Sequence, residues 1–104
     1  MENKLHLCVV TQDSTVFERN VSYVNIPAAF GSLGVLGGHA PMVCAVSRGQ
    51  VRCAFDEDGA AVIEVGAGRR AQQRVGQPEA YGAGIAEVAD NVVTVLVADA
   101  KVKE

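Results

Sequence analysis

Apolar and polar positions alternate along much of this chain. Leu5, Leu7 and Val9 are interleaved with His6, Cys8 and Val10. That period of two marks a β-strand, whose successive side chains leave opposite faces. Thr11 to Thr15 (TQDST) is a polar turn, and Val16-Phe17 reopens an extended run. Val21 to Pro27 (VSYVNIP) is β-branched and aromatic, and Pro27 closes it. Pro41 to Val46 (PMVCAV) predicts a further strand, which the turn Ser47 to Gly49 hands on to Gln50–Phe55. There Val51, Cys53 and Phe55 share one face and Arg52 takes the other. Asp56-Glu57-Asp58-Gly59 reads as a hairpin turn and Ala60–Val65 as its return strand. Asn91 to Ala98 (NVVTVLVA) is the strongest strand signal, and its two apolar faces predict a central strand covered on both sides. No segment of helical length carries a 3.6-residue period. Short strands at close spacing predict an all-β domain, a sandwich or a barrel.

One segment departs from the pattern. Gly68 to Tyr81 (GRRAQQRVGQPEAY) holds three arginines, three glutamines and a proline, too polar for a core strand. Gly-Ala-Gly brackets it at residues 66–68 and 82–84, so it predicts an inserted, exposed loop. The 104 residues suit one domain. A net charge of -3 with 49% apolar residues excludes both a disordered chain and the basic excess of a nucleic-acid binder. No apolar run approaches the roughly 20 residues that a membrane-spanning helix needs. The N-terminus resembles neither a secretory signal nor a transit peptide, so a cytoplasmic protein is expected. Cys8, Cys44 and Cys53 each lie in an apolar run without zinc-site spacing, and three buried, reduced thiols are expected.

Candidate chemistry is sparse. Gly31 to Pro41 (GSLGVLGGHAP) concentrates glycine, but Gly38 is followed by His39-Ala40-Pro41 rather than the lysine and hydroxyl residue of a phosphate loop. Asp56 to Asp58 is too compact for a calcium loop. His6 and His39 are the only imidazoles, and no Ser or Cys has a nucleophile-elbow setting. Neither catalytic residues nor a metal or cofactor site is predicted.

The order of the pieces nevertheless resembles a known family. LHLCVVTQDSTVFERNVSYVNIP, then GSLGVLGGHAPMVCAVSRGQVR, then AEVADNVVTVLVADA are similar to the epsilon subunits of bacterial and chloroplast F-type ATP synthases. Gly31, Leu33, Gly34, Gly38, His39, Ala40 and Pro41 fit the family's first motif. Gly84, Ile85, Glu87, Val88, Val95, Leu96 and Asp99 fit its second. The resemblance implies a two-layer β-sandwich of short, mainly antiparallel strands over residues 1–100, with 101–104 as a tail. It implies a non-catalytic rotor subunit of the central stalk, peripheral on the cytoplasmic face of the bacterial inner membrane, whose partners are the gamma subunit and the c-ring. Gly31, Ser32, Leu33, Gly34, Gly38, His39, Ala40 and Pro41 would then be a contact loop at the c-ring end. Phe17, Phe30, Val35, Leu36 and Met42 are candidate anchors or core residues.

Departures from the family pattern are specific. Ser32 replaces an acidic residue, Gly37 a proline, and Ser47-Arg48 a lysine-proline pair. The Gly68–Tyr81 insertion is absent from typical members, and the repeated Gly-Ala-Gly leaves open which copy occupies the family's glycine position. The helical hairpin that usually follows the sandwich in the family is not expected in this sequence. A second reading stays open, a free-standing β-sandwich that binds a small ligand or a protein. A concave apolar pocket with convergent polar groups would favour that reading, and a flat apolar patch continuous with the Gly-His-Ala-Pro loop would favour the rotor subunit.

Overall fold

The computed structural model describes residues 4–56, 58–66 and 84–103. Nine strands form there: β1 (Leu5–Val10), β2 (Thr15–Ala28), β3 (Gly31–Leu36), β4 (Met42–Val46), β5 (Gly49–Phe55), β6 (Ala60–Val65), β7 (Gly84–Ala89), β8 (Val92–Val97) and β9 (Ala100–Lys103). The predicted insertion at Gly68–Tyr81 lies outside the described residues.

The long strand β2 belongs to both layers. Its first half pairs with β1, which continues through β8 and β7 to β4. Its second half pairs with β3 on one side and β5 on the other, and β5 leads on to β6 and β9. A single pairing of Ala28 with Val46 closes the first layer back onto β2. Every pairing is antiparallel except β1 with β8. The expected all-β sandwich is therefore the observed fold.

A bulge allows β2 to change layers. Val21 faces Phe55 and Tyr23 faces Ala54, leaving Ser22 as the extra residue. Its hydroxyl lies 3.3 Å from the carbonyl oxygens of both Ala54 and Phe55. An extra residue bends the strand and inverts the phase of its side chains. Val21 and Val24 consequently both point inward, although three residues separate them. Pro27 lies inside the strand and does not end it, because β2 continues to Ala28 and turns into β3 at Ala29-Phe30.

The core between the layers is made of small β-branched and aliphatic side chains, including Leu5, Leu7, Val9, Val24, Ile26, Ile63, Val93 and Val95. No polar or charged residue is buried among the described residues. This is the inward half of each alternation found in the sequence.

Three sequence expectations change. Residues 101–103 are not a tail: with Ala100 they form β9, whose Val102 packs against the core. Of the cysteines only Cys53 is buried; Cys8 and Cys44 are half-buried, and all three are free. Burial pushes all three thiols above their ordinary pKa. Lastly, β8 is central in its sheet, but only Val93, Val95 and Val97 are covered. Its other face, with Val92 and Leu96, lies on the outside because no layer packs there among the described residues.

Candidate functional site

The glycine-rich stretch does not form one loop. Gly31, Ser32, Leu33 and Gly34 lie in β3, opposite Ala28, Pro27, Ile26 and Asn25 of β2. Pairing with β2 satisfies one edge of this backbone, and Leu33 and Val35 turn toward the core. Gly31 needs its glycine for a φ of 128° beside the turn, where the space around it is open. Gly34 lets the Tyr23 ring lie across the strand, since a Cβ there would be 3.0 Å from the phenol oxygen.

Only residues 37–41 connect β3 to β4. The His39 N–H donates to the Leu36 carbonyl at 3.2 Å, closing a tight turn. Gly38, with φ of 83°, donates its N–H to Asn91 Oδ1 at 2.7 Å. Asn91 and Asp90 form the two-residue hairpin between β7 and β8, both with positive φ, a conformation that Asp and Asn tolerate best after glycine. The Asn91 carbonyl also accepts the His6 N–H at 2.9 Å. Gly38, His39, Ala40 and Pro41 are thereby brought beside the β7–β8 turn and the start of β1. Gly31 is separated from Leu36 by the length of β3, about 17 Å at the usual rise.

The outer face of the first layer meets that end. Three rows of outward side chains cross it: Ala45, Ile85, Leu96 and Val10; Val43, Glu87, Thr94 and Cys8; Ala89, Val92 and His6. Val43 is 65% exposed, Ile85 52%, Leu96 50% and Val92 40%. Four strands about 4.8 Å apart and three rows about 6.8 Å apart give a face of roughly 400 Å². Four exposed apolar side chains gathered on a face of that size make it a candidate interaction site.

Polar groups border this face. His6 Nε2 lies 2.7 Å from Glu18 Oε2 and its Nδ1 lies 2.8 Å from Asn20 Oδ1. Both partners are oxygens, so the doubly protonated ring donates to both. The hydrogen bonds to Asn20 and then Glu18 raise the imidazole pKa above its usual value.

Sequence reasoning missed Val43, Ile85, Val92 and Leu96. The signal was present in the doubly apolar faces of NVVTVLVA, which predicted burial where the fold leaves exposure. Of the candidate anchors, Val35 is core, Phe17 and Met42 are half-buried against the core, and Phe30 and Leu36 are exposed. A depression of about 730 Å³ does exist on the second layer, with a mixed lining in which Tyr23 and Pro27 stand beside Asn25, Ser32, Gln50 and Arg52. Among the described residues, the exposed apolar side chains beside the Gly-His-Ala-Pro turn are the feature that fits the rotor reading. Among the described residues no group of three His, Cys, Asp or Glu side chains is placed to hold a metal ion.

Known proteins share this pattern. The family model described as ATP synthase, Delta/Epsilon chain, beta-sandwich domain matches residues 4–75. The chain belongs to that family. It is 34% identical over 96 residues to the ATP synthase epsilon chain of Lawsonia intracellularis, covering 92% of this chain and 59% of that one. It is 35% identical over 98 residues to the epsilon chain of Prochloron didemni, covering 94% and 60%. The chain thus spans about three-fifths of the length of these relatives. Solved structures share its fold. One, from the Euglena gracilis mitochondrial ATP synthase (OSCP/F1/c-ring, rotational state 1), superposes with a TM-score of 0.75 at 19% identity, over 98% of this chain and 55% of that one. Another, from the central stalk and c-ring of the Tetrahymena thermophila mitochondrial enzyme, gives 0.60 at 14% identity, over 95% and 66%.

Proposed function

We propose that this member of the family is a non-catalytic rotor subunit of an F-type ATP synthase, coupling the gamma subunit to the c-ring. The observation that carries the reading is the exposed apolar face of β4, β7, β8 and β1, continuous with the turn of Gly38, His39, Ala40 and Pro41. A stable interface covers about 800 Å² on each partner. The face supplies roughly half of that by strand spacing. The face would take the gamma subunit and the turn would reach the c-ring, so that two contacts share the load. In β3, Gly31, Ser32 and Gly34 offer a second edge for the same assembly, while Leu33 serves the core. The role transmits torque through rigid packing and needs no active site of its own. The protein would sit peripherally on the cytoplasmic face of a bacterial inner membrane, held there by the complex. Relatives named as epsilon chains and structural neighbours from central stalks support this assignment.

The test is co-expression with the gamma subunit of the same genome and native mass spectrometry of the purified material. A one-to-one complex is expected. Leu96→Asp should weaken it at least about tenfold, since half of a leucine side chain loses its partner and a charge enters an apolar contact. A persistent monomer of the unaltered protein would refute the rotor reading.

A further inference from the structure

The apolar face carries one carboxylate near its centre. Glu87 stands on β7 between Val43 of β4 and Thr94 of β8, with Ile85 and Ala89 before and after it on the same face. Val92 and Leu96 flank Thr94 on the neighbouring strand, so apolar side chains surround the carboxylate at the spacing of adjacent rows. Glu87 is exposed, and among the described residues no cation lies in salt-bridge range of it. The acid that borders this face, Glu18 of β2, is already engaged by His6.

A partner that covers the face must remove water from Glu87. Desolvating a carboxylate without compensation is costly, and a cationic donor set against it offsets that penalty and fixes the register. We propose that the surface docking on this face is apolar with one Lys or Arg aimed at Glu87, and that this ion pair sets how the partner is seated. The proposal rests on the reading of this face as the gamma-subunit contact and adds the chemistry that the contact requires. Glu87 is a recognition residue here, and the surrounding side chains supply the buried area.

Binding of the full chain to the gamma subunit, measured by titration calorimetry at low and raised salt, tests it. The variants are Glu87→Gln, Glu87→Lys and Leu96→Asp, with Glu64→Gln on the opposite layer as control. All substituted side chains lie at the surface, and unchanged circular dichroism confirms the fold of each variant. Glu87→Gln should weaken binding roughly 30-fold or more, because it strands a desolvated cation on the partner. Glu87→Lys should abolish binding, Glu64→Gln should bind as the unaltered protein does, and the salt dependence should shrink in Glu87→Gln. If Leu96→Asp loses binding while Glu87→Gln binds normally, the face docks but the ion pair is refuted. If Leu96→Asp and Glu87→Lys both bind normally, the face is not the contact and both readings fall.

Discussion

Gly84 opens β7 between two partners, facing Val46 of β4 and Val97 of β8. A Cβ added there would collide with the Leu96 carbonyl oxygen and lie 2.8 Å from the Val97 Cα. Both obstacles are backbone atoms, so no side chain can swing aside to admit it. In Gly84→Ala, β7 must move from β8 by more than an ångström at this end. That movement removes one or two ladder hydrogen bonds, worth about 1 kcal/mol each. It also loosens Val46 and Val97, which are buried at 0% and 3% exposure, for a further ~1–2 kcal/mol. The expected cost is about 2–4 kcal/mol. For a domain of this size each kcal/mol lowers the melting temperature by about 4 °C, so the variant should melt roughly 8–16 °C early. Gly34→Ala is the matched control, since its obstacle is the exposed Tyr23 side chain, which can yield. That variant should lose less than about 1 kcal/mol. Thermal melts followed by circular dichroism decide the matter. Equal melting temperatures for Gly84→Ala and Gly34→Ala would refute the argument that β8 backbone excludes a side chain at residue 84.

Two further outcomes follow from the end of the sheet where β1 starts. Because Asn20 and Glu18 raise the pKa of His6, its contribution is fully present below the ordinary imidazole value of 6.5 and is lost as the pH rises through the higher folded value. The melting-temperature gap between the unaltered protein and His6→Gln should therefore be larger at about pH 5.5 than at about pH 8.5, and a gap independent of pH would refute the pairing. Asn91→Gly should keep the tight turn and lose only the bond to the Gly38 N–H, at about 1 kcal/mol, whereas Asn91→Ala should cost about 1 kcal/mol more through the positive φ, as read by chemical denaturation.

Much of the fold was legible because a half-buried strand advertises its two faces. Leu5, Leu7 and Val9 alternate with outward residues in sequence and are buried in the structure. The same holds for Val51 and Cys53 of β5. The GHAP motif was legible as a resemblance, and its turn does join the β7–β8 hairpin through Gly38 and Asn91. The division of the glycine-rich stretch was not legible, because small residues suit a loop and an edge strand equally well. Pairing with β2 makes Gly31–Leu36 a strand.

The sequence by itself determined most of the extended segments, though not β3 or β9, that the domain is all-β, and that valine and leucine would fill its interior. Tertiary structure alone decided the phase of β2 beyond Ser22, because a bulge inverts the two faces and arises only when a strand must bend between layers. It also decided which apolar face of NVVTVLVA is core. Val93, Val95 and Val97 oppose the second layer, while Val92 and Leu96 have no layer above them among the described residues. A strand that is apolar on both sides carries no information about which side will be covered. That choice belongs to the partner surface, which a local pattern of side chains cannot encode.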